Sequence, residues 1–348
     1  MSSKASSGTT QKSESYLALL SELRGMLRSA QNSDGGWAFH HGGESRVEPT
    51  CWAIRALASA QADDSLREIL IENHARAVEF LTSRQGADGS WSASDGMEAG
   101  GWITSLACSV LAAQAGKQGA AEAQNASSIQ KAIQGALQWL CEDYPRDSGG
   151  WQKFLKKFRS NKDLVEHSDE FRGWGWTPRT ASWVEPTAFA LMAFSDAGAA
   201  VPAALAKVIA ERKTLATGLL CDRMCPRGGW NCGNPRVYGV DGDPLVLPTC
   251  WALLALRDEP EHAERTLSLA WLRDEFDKIE SAGSLAMARI TVECYGLVPP
   301  ESSCSLLAWP ASELAEMGIH VAAWVALALD AQRAWPPISR VPAARATK

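Results

Sequence analysis

Two carboxylic acids in this 348-residue chain share one local sequence. Glu48 opens Glu48-Pro49-Thr50 and Glu185 opens Glu185-Pro186-Thr187, each just before an apolar, Ala-rich run; Leu247-Pro248-Thr249 repeats the pattern without the acid. A carboxyl held in its protonated form can hand a proton to a substrate. Aromatic rings beside it would stabilise a cation formed by that transfer. Glu185 has such rings close by in sequence, because the stretch GWGWTPRTASW before it carries Trp174, Trp176 and Trp183. The same residues also have a structural reading. Proline suits the first helical position, where an N–H has no intrahelical partner, and Glu is favoured there by the helix dipole. The Trp rings would then be ordinary packing.

A second set of reactive types lies in the stretch Cys221 to Trp251. Cys225, Cys232, Asp241 and Asp243 are the donors a zinc site would draw on, since zinc that activates a ligand keeps thiolate, imidazole or carboxylate partners and one open position. The stretch has no C-x2-C pair and no His, so no metal is assigned and free thiols on a polar loop remain the other reading. Tyr238, Asp241 and Asp243 join Trp174, Trp176 and Trp183 as candidate ligand contacts, with Glu185 and Glu48 as candidate acids. His40 and His41 are adjacent in a loop, where two rings do not readily reach one metal, and His320 begins the run GIHVAAW. The chain has no G-x-S-x-G, no phosphate-binding Gly loop and no D-D-x-x-D, so acyl transfer, nucleotide hydrolysis and metal-dependent ionisation of prenyl diphosphates have no support.

These residues must be positioned by a repeat. Arg24 to Trp37, RGMLRSAQNSDGGW, and Arg76 to Trp91, RAVEFLTSRQGADGSW, share an apolar run, a Gln, then Gly and Trp at fixed spacing. Weaker copies end at Trp151 and Trp230, and Trp174 with Trp176 occupies a related place. Gly35 or Gly89 permits a tight turn with positive φ. The Trp after it can cover the end of the preceding helix, and the Gln amide can bond backbone groups freed there. A second type of helix follows each turn: EPTCWAIRAL from Glu48, WITSLACSVLAA from Trp102, EPTAFALMAF from Glu185 and LPTCWALLAL from Leu247. Alternation of this kind makes the chain a helical-hairpin repeat protein.

The repeat resembles the QW motif of squalene-hopene and oxidosqualene cyclases, and more distantly the β subunits of protein prenyltransferases. The resemblance covers nearly the whole chain and implies an all-α fold, an (α/α)6-type toroid of about six hairpins with inner and outer helix rings. It implies an isoprenoid substrate or ligand in an apolar, Trp-lined cavity. It further implies that Glu48 or Glu185 stands where class II terpene cyclases place the middle Asp of D-x-D-D-T-A, with Pro replacing the neighbouring Asp. Epoxide-opening relatives manage with one carboxylate in that segment. The prenyltransferase likeness would place zinc near Asp241 and Asp243, but the expected Cys is missing and Pro248 fills a ligand position. The alternative is a toroid that binds an isoprenoid, lipid or peptide without catalysis.

The net charge of −6 argues against a nucleic-acid partner held through phosphates. Nine Cys behind a polar N-terminus lead us to expect reduced thiols in the cytoplasm, and no run is long and apolar enough to cross a bilayer. Residues 1–13 read as a disordered lead-in, 14–335 as one toroid domain with an insertion at 146–179, and 336–348 as a tail. Within the insertion, Lys153, Lys156, Lys157 and Arg159 alternate with Phe154, Leu155 and Phe158. Residues 153–159 read either as an exposed amphipathic helix or as a basic rim for a diphosphate or a peripheral membrane contact.

Overall fold

The structure is a computed structural model that describes residues 3–58, 67–115, 123–145, 168, 170–260 and 262–330, with side chains from 14–58, 72–115, 126–145, 168, 170–260 and 262–330. Trp151 and the 153–159 segment lie outside these residues. The described chain is helical almost throughout: α1 Ser3–Ser29, α2 Val47–Ala58, α3 Arg67–Ser83, α4 Gly101–Ala115, α5 Ala123–Glu142, α6 Val184–Ala197, α7 Ala203–Asp222, α8 Val246–Ala255, α9 Ala263–Glu275, α10 Ala282–Cys294, α11 Ala311–Met317 and α12 Ile319–Leu329. The sequence places the start of the first helix near Glu14, whereas α1 begins at Ser3. Between 301 and 317 a 3-10 stretch, Glu301–Ala308, is followed by α11, and Pro310 between them has no N–H to continue the first. No strand was expected, yet Arg236–Val237 (β1) and Val240–Asp241 (β2) pair antiparallel through a turn at Tyr238 and Gly239, with φ of 54° and 74°.

The residues gather into two compact units, one from Met1–Leu81 with Phe276–Lys348 and one from Thr82–Glu275. In the first, α12 packs against α1, α2, α10 and α11. In the second, α6 lies between α4 and α8, while α5, α7 and α9 pack beside them. The helices after the Gly-Trp turns are buried on every side: α6 buries eleven residues and α8 eight, whereas α7 buries only five and α9 two. A helix apolar all round must sit in a core and one with a single apolar stripe at its edge.

The same clamp closes each described copy of the turn, and the two copies most alike in sequence share a glycine at positive φ. Gly35 and Gly89 have φ of 88° and 92°, and a Cβ there would run into the Arg76 carbonyl or the Gly135 backbone. The Trp that follows is fully buried in all four copies, Trp37, Trp91, Trp174 and Trp230. Three of these indoles donate to the preceding helix end, at Leu27 O (2.6 Å), Leu140 O (3.1 Å) and Leu220 O (2.6 Å). Each Trp backbone N–H donates to a Thr hydroxyl in the next helix: Thr50 (2.8 Å), Thr104 (3.0 Å), Thr187 (3.0 Å) and Thr249 (2.8 Å). The x-P-T threonine is therefore the clamp between turn and helix.

The Gln does something other than cap its own helix. Gln31 Nε2 donates to Gly35 O and to Asn73 O, and Gln85 Nε2 to Gly89 O and Ala132 O, all at 2.8 Å. Each amide thus ties its turn to the next amphipathic helix, α3 or α5. Where Met224 takes the Gln position, Gly229 N donates instead to Ser268 of α9 at 2.8 Å. This copy keeps the tie with different chemistry.

Candidate functional site

Counting back two residues from each clamp threonine gives Glu48, Trp102, Glu185 and Leu247. Since the scaffold accepts Trp or Leu there, the acid is not needed to start the helix, which weakens the capping reading of Glu185. Counting forward two gives Trp52, Leu106, Phe189 and Trp251. Residues four apart share a helix face, so Glu185 and Phe189 line one side of α6. In the second unit these positions meet. The Phe189 ring lies 4.9 Å from Trp251 and 6.5 Å from Trp102, and Trp102 meets Trp176 edge-to-face at 5.8 Å.

Glu185 is half-buried in the first turn of α6, and among the described residues its carboxylate has no hydrogen-bond or ion-pair partner. Burial raises its pKa above the usual carboxylate range. Removing the charged form from water without compensation favours the protonated acid. Cys232 passes close by: Val184 N donates to Cys232 O at 3.3 Å, and the thiol is pushed up first by burial and then by the Glu185 charge.

The loop carrying Cys232 departs from the repeat. The Trp-to-Thr clamp spans 13 residues in three copies and 19 in this one, the extra length forming the β1–β2 hairpin. Its base is tied down by Arg223 Nη1 on Gly233 O (2.5 Å) and by Asn231 Oδ1, which accepts from Gly233 N and Asn234 N. Tyr238 sits at its tip, 73% exposed. Asp241 pairs with Arg236 at 2.7 Å and Asp243 with Arg227. These two acids are engaged by guanidinium groups; burial raises the Cys225 thiol pKa first, and the nearby charges of Asp243 and Asp241 add to that. Among the described residues no group of three His, Cys, Asp or Glu could hold a metal ion. The donor set does not fit the zinc implied by the prenyltransferase likeness.

Trp176 and Trp183 are each 37% exposed and remain available to a ligand, with Trp183 immediately before α6. Trp174 is not available. It is the buried Trp of its repeat, its ring 5.5 Å from Phe194 and under the Arg212 guanidinium at 4.0 Å, and a ring with no exposed face cannot touch a ligand. The sequence reading had not put Trp102, Phe189 and Trp251 in the site. Their fixed offsets from the clamp threonines are the signal that finds them.

The first unit holds a related row. Glu48 is pushed up to about 7 by burial, partly offset by the nearby Trp52 indole. Trp52 meets Trp324 at 5.6 Å, Trp324 meets His320 at 5.3 Å, and His320 meets Phe39 at 5.4 Å, all edge-on. His320 opens α12, and burial, then the nearby His40, lowers its pKa. His40 and His41 are exposed.

Together the helical hairpins, the Gly-Trp turns and their threonine clamps define an all-α protein of the α/α toroid class. Solved structures of that class align over most of the chain: a protein from Actinoplanes (15% identity, TM-score 0.58, 91% of this chain and 99% of that one), and an inactive variant of α-1,6-mannanase GH76A from Salegentibacter sp. HEL1_6 in complex with α-1,6-mannotriose (6%, 0.59, 91% and 99%). A variant of the type II terpene cyclase MstE from Scytonema in complex with its product merosterolic acid A also aligns (15%, 0.50, 88% and 81%). No protein-family model matches the chain, and no curated protein sequence does. At these identities the likeness establishes the fold. Among the described residues no helix is long and apolar enough to cross a membrane.

Proposed function

We propose that the second unit holds an uncharged isoprenoid-type ligand against Trp102 and Trp176, with Phe189 packed behind them, and that Glu185 serves as the Brønsted acid of a class II, terpenoid-cyclase-like reaction. The observation that carries this reading is a half-buried acid for which the described residues offer no hydrogen-bond or ion-pair partner, at a position the scaffold otherwise fills with Trp or Leu, on the helix face that leads into a row of aromatic rings. The fold also carries a mannanase, so the chemistry has to be read from the site.

The acid has a definite limit. Desolvation favours the protonated form of Glu185 but makes it a weaker acid, and among the described residues no hydrogen bond stabilises its anion. Protonating an isolated alkene calls for the opposite arrangement. The substrate therefore carries a more basic group than a double bond, and an epoxide oxygen fits. Proton transfer opens the C–O bond, and the carbocation left behind faces the indoles.

A second reading, an isoprenoid-, lipid- or peptide-binding toroid without catalysis, is favoured by Pro186, which occupies the place of the second carboxylate. Incubation with squalene, oxidosqualene and geranylgeranyl diphosphate, followed by mass spectrometry, separates the two. Cyclisation of oxidosqualene that collapses in Glu185→Gln, with ligand affinity retained, supports the acid; Gln keeps the shape and removes the proton. Retention of turnover in Glu185→Gln rejects the assignment, and binding without turnover in the parent protein supports the second reading.

A further inference from the structure

Two turns along from the aromatic row, the same three helices meet in a buried polar network. The Arg257 guanidinium donates to Asp196 Oδ1 at 2.5 Å with side chains only 4% and 2% exposed, and the Ser109 hydroxyl donates to Asp196 Oδ2. Ser109 lies on α4, Asp196 in the last turn of α6, and Arg257 two residues beyond α8. In sequence they stand seven residues after Trp102, seven after Phe189 and six after Trp251, so each hangs about two helical turns from its aromatic residue.

Stability alone is a poor reason for this network. Taking two charges out of water costs what their attraction regains, and apolar replacements of a buried pair are often neutral or stabilising. Asp196 is placed worse still, because a helix C-terminus disfavours an anion. What a network of fixed partners does supply is register. An apolar face can slide along its neighbour by part of a turn with little loss of burial, whereas a carboxylate bonded on one side to α4 and on the other to the end of α8 cannot.

We propose that Asp196, Arg257 and Ser109 are positioning residues for the candidate site. Their network fixes the axial register of α4, α6 and α8, and so keeps Trp102, Phe189 and Trp251 in contact beside Glu185. The positions of the rings follow from the network alone; their use by a ligand rests on the function proposed above.

The test uses 5-fluorotryptophan protein and 19F NMR, with the Trp102 and Trp251 resonances assigned through Trp102→Phe and Trp251→Phe and the Trp91 resonance as an internal reference. The apolar triple variant Ser109→Ala/Asp196→Leu/Arg257→Met is expected to melt no lower than the parent, while the Trp102 and Trp251 resonances leave their parent positions and Trp91 stays. A folded triple variant with both resonances unmoved overturns the proposal, as does a lower melting temperature with no change in the spectrum. If the triple variant does not fold, Ser109→Ala decides: it removes only the α4 partner, so Trp102 must move while Trp251 and Trp91 do not. An unmoved Trp102 rejects the register role. No ligand is needed, so the outcome stands whether or not Glu185 proves to be an acid.

Discussion

Replacing Glu48 with Gln tests how the protein treats a carboxyl in a desolvated first turn. Burial moves this group from the ordinary 4.5 to about 7, and the nearby Trp52 indole recovers only part of the cost. Each pH unit between those values corresponds to about 1.4 kcal/mol, so ionising Glu48 in the folded state costs about 3 kcal/mol more than in the unfolded chain. The folded protein keeps a proton that the unfolded chain releases. The contribution of this group is therefore complete below pH 4.5 and is lost as the pH rises through 7. Glutamine cannot ionise, yet it keeps the shape of the side chain. Urea unfolding of parent and Glu48→Gln across pH 4.5 to 8 should give curves that meet at the acid end, with the variant more stable by up to about 3 kcal/mol at pH 8. A difference between the two proteins that does not change with pH would refute the desolvation argument, because a lost cap or altered packing is independent of that proton.

Thr187→Val removes the acceptor of the Trp174 N–H in a fully buried clamp, and should cost about 1–3 kcal/mol in chemical denaturation; an unchanged midpoint would mean that the clamp is incidental. Trp91→Ala empties a fully buried ring site, and a loss of about 3–5 kcal/mol is expected, read as a large fall in melting temperature. Elemental analysis of purified protein should find zinc well below one per chain, since Asp241 and Asp243 are held by Arg236 and Arg227; one zinc per chain, lost in Cys232→Ser, would reverse that.

The repeat was legible in the sequence because its parts are local. A glycine that must adopt positive φ, a Trp at fixed distance from it and an apolar run with a Pro start each satisfy their own neighbourhood, so spacing alone identified the hairpins and the helix class of Glu48 and Glu185. Partners distant in sequence were not legible. Gln31 and Gln85 look like helix caps until the carbonyls of Asn73 and Ala132 are brought beside them. Trp174 looked like a ligand contact because sequence does not say which of two neighbouring rings turns inward; tertiary packing put it under Arg212 and left Trp176 at the surface. Asp241 and Asp243 read as candidate zinc donors by residue type, and folding pairs them with Arg236 in the hairpin and Arg227 in the turn before it. The thirteen-residue clamp was present in the sequence as a spacing, but its meaning depends on a hydrogen bond between a turn and the following helix. Local conformational preference fixed the elements, and long-range packing decided which side chains those elements leave available for chemistry.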